Sequence, residues 1–236
     1  MRQDTTGEDA TGEATAERGT AGRGATPRER YRTQVRTEIK DHAWQQIAVA
    51  GASGLSLNAI AKRMGMSGPA LYRYYAGRDE LITELVRDAY RSLADAFRAA
   101  SAPTPEVRAL GRAMRAWALA DPQRYFLVFG TPVPGYQAPD DTTDLARESM
   151  AYMLDACAAP LPAGSPEAPF AGHLDEHRQW AGDRSVPAAA LHRALTFWTR
   201  LHGALSLELA GHFTGMGFDP ERLFEAELDA LTGNGG

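Results

Sequence analysis

The chain has 236 residues, a formal charge of −5 and 44 % hydrophobic residues. That make-up fits a globular protein with a full apolar core and excludes a wholly disordered chain. A single cysteine, Cys157, rules out an internal disulfide framework and fits a reducing compartment, so a cytoplasmic protein is expected. No stretch approaches 18 consecutive apolar residues, which argues against a membrane span.

Residues 1–25 hold Gly, Ala, Thr and charges without an apolar run, and a disordered tail is expected there. Thr26-Pro27-Arg28-Glu29 reads as a capping box, with Thr at the N-cap, Pro at the first helical position and Glu at the third. From it Tyr31, Val35, Ile39, Ala43 and Ile47 recur every four residues, one apolar helical stripe that ends at Gly51. A second helix is expected at about 56–64, capped by Ser56, and a third at about 67–74. Pro69 is tolerable in that third helix because it lies in the first turn. A fourth, with Asp79 as its cap, should reach about Ala100 and stop before Pro103 and Pro105. Further helices are expected at 104–120, 122–130, 140–159, 170–181 and 186–213, with a last one from Asp219-Pro220 to near Gly233. The fold class is therefore all-α.

Charge is unevenly spread. Residues 28–78 carry nine Lys/Arg and three Asp/Glu, a net +6 on an otherwise acidic chain, and this asymmetry points to a polyanionic partner for that part alone. The same stretch fits a helix-turn-helix. With Leu57 as its first position, Ile60, Ala61, Met64, Gly65, Met66, Leu71 and Tyr74 fall where two crossing helices pack and turn. Ala61 is small where the helices cross, and Gly65 permits a left-handed turn. Ser67, Gly68, Pro69, Ala70, Tyr72 and Arg73 are left on the outer face of the second helix. Ser67 opens a helix N-terminus suited to phosphate, Tyr72 can donate to phosphate, and Arg73 can reach a guanine edge. Ser56, Tyr74 and Arg78 complete the candidate DNA-binding set, although the motif's phase turns Tyr74 and Tyr75 largely toward packing.

The segment GLSLNAIAKRMGMSGPALYRYYAGRDEL, residues 54–81, resembles the DNA-binding signature of the TetR family of bacterial transcriptional regulators. The likeness extends back over RTEIKDHAWQQIAVAG, residues 36–51. It implies a three-helix DNA-binding domain at 26–78 joined to a helical-bundle dimerisation and effector-binding domain at 79–236. It also implies that Tyr72 and Arg78 contact phosphate. The position of Tyr74 is often His in that family, and that of Gly68 often Lys. FWTRLHGALSLELAG, residues 197–211, resembles the Trp…His-Gly type of TetR C-terminal domain.

In the C-terminal part, Leu191, Leu195, Trp198, His202, Leu205 and Leu209 form one apolar stripe, while Ala194, Phe197, Leu201 and Ala204 form a second. A helix apolar on two faces is expected to lie between its own domain and a second copy. Leu195, Trp198, Leu205, Leu209, Phe224 and Leu228 are the candidate dimer contacts. Trp117, Tyr125, Phe126, Phe129, Tyr136, Met150, Met153, Phe197 and His202 are candidates for an effector pocket. HLDEH, residues 173–177, matches the H-x-x-E-H pattern of some zinc peptidases, with His173 and His177 one turn apart and Glu176 as a base. The expected function is a homodimeric repressor, without cofactor, released from a palindromic double-stranded DNA operator by a small apolar effector. A ligand-independent DNA-binding regulator and a zinc hydrolase using His173, Glu176 and His177 are the alternatives.

Overall fold

The computed structural model describes residues 26–158, 169–182 and 185–233. The expected tail at 1–25 lies outside them. The described residues form ten α-helices, two short 3-10 turns and no strand. No helix among them is long and apolar enough to cross a membrane.

Helix α1 (Pro27–Ala50) starts on the capping box: Glu29 N donates to Thr26 Oγ1 at 3.3 Å, and Thr26 N donates to Glu29 Oε2 at 2.7 Å. Its buried side chains are Val35, Ile39, Ala43 and Ile47, spaced by four as a single helical face requires. Nothing before Val35 is buried, so the first two turns rest on their own backbone bonds and the capping box. Helix α2 (Leu57–Arg63) is capped by Ser56 Oγ, which accepts from Ala59 N. Gly65 sits at φ +66°, making the left-handed turn into α3 (Gly68–Leu71). That helix is shorter than expected, because the chain passes into turns at 72–74. Leu71 and Tyr75 are fully buried and anchor it.

Helix α4 (Arg78–Ala100) starts one residue before Asp79, with Gly77 in the capping position. It is shared between two cores. Leu81, Ile82, Leu85 and Val86 pack with α1, α2 and α3, whereas Ala89, Leu93 and Phe97 pack with the C-terminal helices. The boundary expected near residue 78 therefore precedes a helix that completes both parts.

The body comprises α5 (Val107–Ala120), α6 (Pro122–Phe129), α7 (Asp141–Cys157), α8 (Pro169–Glu176), α9 (Ala188–Leu209) and α10 (Pro220–Thr232). Helix α9 is shorter at both ends than expected. Helices α5 and α10 approach so closely that a Cβ on Gly111 would stand 2.4 Å from Leu228 Cδ2. Ion pairs reinforce the contact: Arg112 to Glu225 at 2.8 Å, Arg108 to Glu225 and Asp229, and Arg115 to Glu208 on α9 at 2.7 Å.

This packing corrects the expected dimer set. Leu205, Phe224 and Leu228 are completely or almost completely buried inside one chain, in the core built from α4, α5, α7, α9 and α10. They face the chain's own body because α5 lies across α9 and α10 on that side. Leu195, Trp198 and Leu209 are half-buried and also pack against the core clusters of the same chain.

Candidate nucleic-acid interface and effector site

Two helices joined by a tight glycine turn, with cations and hydroxyls left over after packing, can meet a duplex. Ser56, Ser67, Pro69, Tyr72 and Arg73 are exposed, and Tyr72 shows 47 % of its surface. Gly68, Ala70 and Tyr74 are half-buried. Ser67 makes no side-chain cap bond, which leaves its hydroxyl to an outside partner. Gly68 lies against Asn58 of α2, whose Oδ1 would be 3.4 Å from an added Cβ. Lys62 and Arg63, exposed on the last turn of α2, join this cationic face. The charge asymmetry of the sequence contained them, but the motif template gave them no role.

Two residues act through the backbone. Arg78 donates from Nη2 to Ala52 O at 3.0 Å and lies 3.5 Å from Asp79. Its guanidinium thereby holds the connection between α1 and α2, and only part of it remains open to solvent. Arg36 donates to Tyr74 O at 2.9 Å, pairs with Glu84 at 3.2 Å, and lies 4.3 Å from the centre of the Tyr75 ring. Burial pushes the Tyr75 hydroxyl up to about 12. Tyr75 is thus a neutral packing residue.

The expected effector residues fall into three places. Trp117, Tyr125, Phe126, Phe129, Trp198 and His202 form an aromatic cluster. His202 centres it: its ring lies 3.9 Å from that of Trp198, 4.3 Å from Phe129 and 5.6 Å from Tyr125. Tyr125 Oη lies 2.9 Å from His202 Nδ1 and 2.7 Å from Ser206 Oγ. His202 Nε2 has no hydrogen-bond partner. Burial pulls the imidazole down to about 3, so it is neutral at ordinary pH. Trp117 donates from Nε1 to Ser92 Oγ at 2.9 Å, tying the cluster to α4.

Met153 and Phe197 instead pack between α5, α7 and α9, together with Leu110 and Cys157, around a gap too narrow to hold a water molecule. Met150, half-buried, packs on the same clusters. Tyr136 belongs to neither place. It packs against the first half of α4, its Oη 3.1 Å from Thr83 Oγ1, because the loop after α6 turns back toward the N-terminal core. Tyr136 thus joins the loop after α6 to α4, apart from the aromatic cluster.

His173, Glu176 and His177 bring their ligand atoms within 4.8 Å of one another on α8 and just beyond it. All three are exposed, and His177 Nδ1 lies 3.0 Å from His173 O.

Residues 39–85 match the family described as "Bacterial regulatory proteins, tetR family". Residues 107–231 match the "Tetracyclin repressor-like, C-terminal domain". The HTH-type transcriptional regulators Rv1816 of Mycobacterium tuberculosis (strain ATCC 25618 / H37Rv) and Mb1846 of Mycobacterium bovis are each 37 % identical over 220 residues, 85 % of this chain and 92 % of theirs. The crystal structure of protein SCO4313 is 71 % identical, with a TM-score of 0.82 over 88 % of this chain and 100 % of that one. A Rhodococcus sp. RHA1 protein shares the fold at 22 % identity, with a TM-score of 0.60 over 84 % of this chain and 93 % of that one. These regulators are not enzymes, and the zinc-hydrolase reading of His173, Glu176 and His177 gives way to an exposed polar helix end. The helix-turn-helix at 56–75, the helical body behind it and these relatives agree: the chain belongs to the TetR family of DNA-binding transcriptional regulators.

Proposed function

We propose that the protein acts as a homodimeric repressor on a near-palindromic operator and leaves it when a small apolar effector enters the body. The observation that carries this reading is the division of α4 between two cores. Leu81–Val86 packs with the DNA-binding helices and Ala89–Phe97 with the body, so a displacement of α5 or α7 is transmitted to Arg78 and α3. Two recognition helices that must enter successive major grooves, about 34–36 Å apart, tolerate little such displacement. The effector would expand the gap at Met153 and Phe197 or part the rings around His202, whose unpartnered Nε2 offers one polar anchor. Trp198, His202 and Gly203 supply the pattern on which the likeness to the Trp…His-Gly type of C-terminal domain rests.

For the second copy we infer the outer faces of α9 and α10: Thr199, Gly203 and Leu207 on one, Leu223, Ala226 and Ala230 on the other. Leu207 shows 44 % of its surface. A Cβ on Gly203 would meet nothing within 4 Å, so the monomer gives no packing reason for a helix-weakening glycine there. A neighbouring backbone would. Two-fold protein symmetry then demands two-fold DNA symmetry.

The ligand-independent reading draws support from the filled aromatic cluster. One experiment separates the two. A duplex selected from a random library by the full chain is titrated with a candidate effector, and effector affinity is measured with and without that duplex. Release by effector requires the duplex to weaken effector binding, typically by about 5- to 150-fold. Equal affinities would favour the ligand-independent regulator.

A further inference from the structure

Helix α1 runs alongside α4 in the same direction, as two ion pairs of identical sequence offset require: Arg36 with Glu84 at 3.2 Å and Lys40 with Asp88 at 2.5 Å. Both cations belong to one helical stripe of spacing four, Arg28-Arg32-Arg36-Lys40. The upper two are matched to acids on α4. Carried down at the same offset, Arg32 comes level with Glu80 and Arg28 with Ala76, beside the start of α4 and the end of the recognition segment. Glu80 is already occupied, its carboxylate accepting from Ala76 N at 2.5 Å. Neither Arg28 nor Arg32 has a hydrogen-bond or ion-pair partner among the described residues.

The apolar stripe of α1 overruns the protein in the same way. Val35, Ile39, Ala43 and Ile47 are buried, while Tyr31, the next step toward the N-terminus, is 65 % exposed. Residues 27–34 thus form about 12 Å of helix at 1.5 Å per residue without a packing role. The local acid that could balance it, Glu29, is spent in the capping box, which holds its carboxyl below the usual range. A helix end capped this firmly, unpacked, and carrying two unmatched guanidiniums and a phenol has the chemistry of a polyanion contact.

We propose that the first two turns of α1 are a second DNA contact, in which Arg28, Arg32 and Tyr31 bind backbone phosphates just outside the base pairs read by α3. The proposal rests on the assignment of α3 as the recognition helix. It makes the bound duplex longer on each side than α2 and α3 alone would cover, and it adds affinity without adding sequence preference, because phosphates carry no base information.

The test uses the full chain and a duplex selected by it from a random library, with R28Q/R32Q as the variant and R28K/R32K as the charge-preserving control. Loss of two phosphate contacts per protomer, four per bound dimer, should lower the slope of log affinity against log salt by about 3.6 and weaken binding on the order of a hundredfold near physiological salt. Hydroxyl-radical protection should disappear at the two outer edges of the footprint and persist at its centre, and R28K/R32K should restore most of both. Both arginines are exposed, so thermal unfolding should be unchanged. An unaltered salt slope and footprint in R28Q/R32Q would overturn the second contact while leaving the helix-turn-helix reading intact. A wild-type chain that enriches no duplex would overturn both.

Discussion

His202 ties stability to pH. It lies among Trp198, Phe129 and Tyr125, and burial pulls its pKa to about 3 from the ordinary 6.5. The folded chain therefore keeps the ring neutral where the unfolded chain takes up a proton. Because the unfolded state binds more protons below the ordinary value, stability falls as pH drops through 6.5 and goes on falling toward 3. Each pH unit inside that window costs about 1.4 kcal/mol, and between pH 7.5 and 5.5 the loss from this one group should be about 1.4 kcal/mol. His202→Phe keeps an aromatic ring at this position, a somewhat larger one, and removes the titration. Tyr125 Oη retains Ser206 Oγ at 2.7 Å in that variant, so the cost at pH 7.5 should stay near about 1 kcal/mol. Urea unfolding of both chains at pH 7.5 and 5.5 measures the difference of differences, which cancels every other titrating group. A wild-type loss no larger than the variant's would refute the reasoning, since it would mean that the ring takes up its proton in the folded state.

Leu205→Glu, which puts a charge into the closed core of one chain, should cost about 3–5 kcal/mol or more and unfold the protein, whereas Leu207→Glu should leave the helical circular dichroism intact and yield monomers by sedimentation. Arg78→Ala should lower both thermal stability, by about 1 kcal/mol, and DNA affinity, because the bond to Ala52 O is lost. Tyr72→Phe should lower affinity with no change in melting temperature, and the two variants together separate positioning from direct contact. Gly111→Ala should destabilise, because overpacking against Leu228 costs about 1–3 kcal/mol and exceeds the roughly 1 kcal/mol gained from helix propensity. Adding Leu228→Ala should then cost less than it does in the wild-type chain, a coupling readable from a double-mutant cycle.

Local signals made the DNA-binding part legible. The capping box, the stripe of α1 from Val35 onward, Ser56 as a cap and Gly65 as a turn are all encoded by near neighbours, and the structure reproduces each of them. Arg78 could not be read this way, because its partner is a carbonyl 26 residues earlier that only the folded turn presents. In the body, periodicity located the apolar faces of α9 and α10 without saying which one meets the same chain. Leu205 and Leu209 share a stripe in sequence, yet α5 covers the first completely and leaves the second half-buried. Tyr136 illustrates the other limit. It follows α6 closely, but the loop direction that carries it to Thr83 depends on tertiary packing rather than residue type.

The division of α4 between two cores bears on how such regulators can be recombined. A hybrid that fuses this DNA-reading head to a foreign sensor at residue 78 would discard Leu81, Ile82, Leu85 and Val86, and with them one wall of the head's interior. A crossover between Val86 and Ala89 respects both interiors. There Arg87 pairs with Glu84 and Asp141 and Asp88 with Lys40 and Arg91, and the donor must also match the contacts that Leu127, Val133 and Tyr136 make with the head. Modularity in this chain thus lies at a seam in mid-helix, about two turns and a half beyond the point where the motif ends.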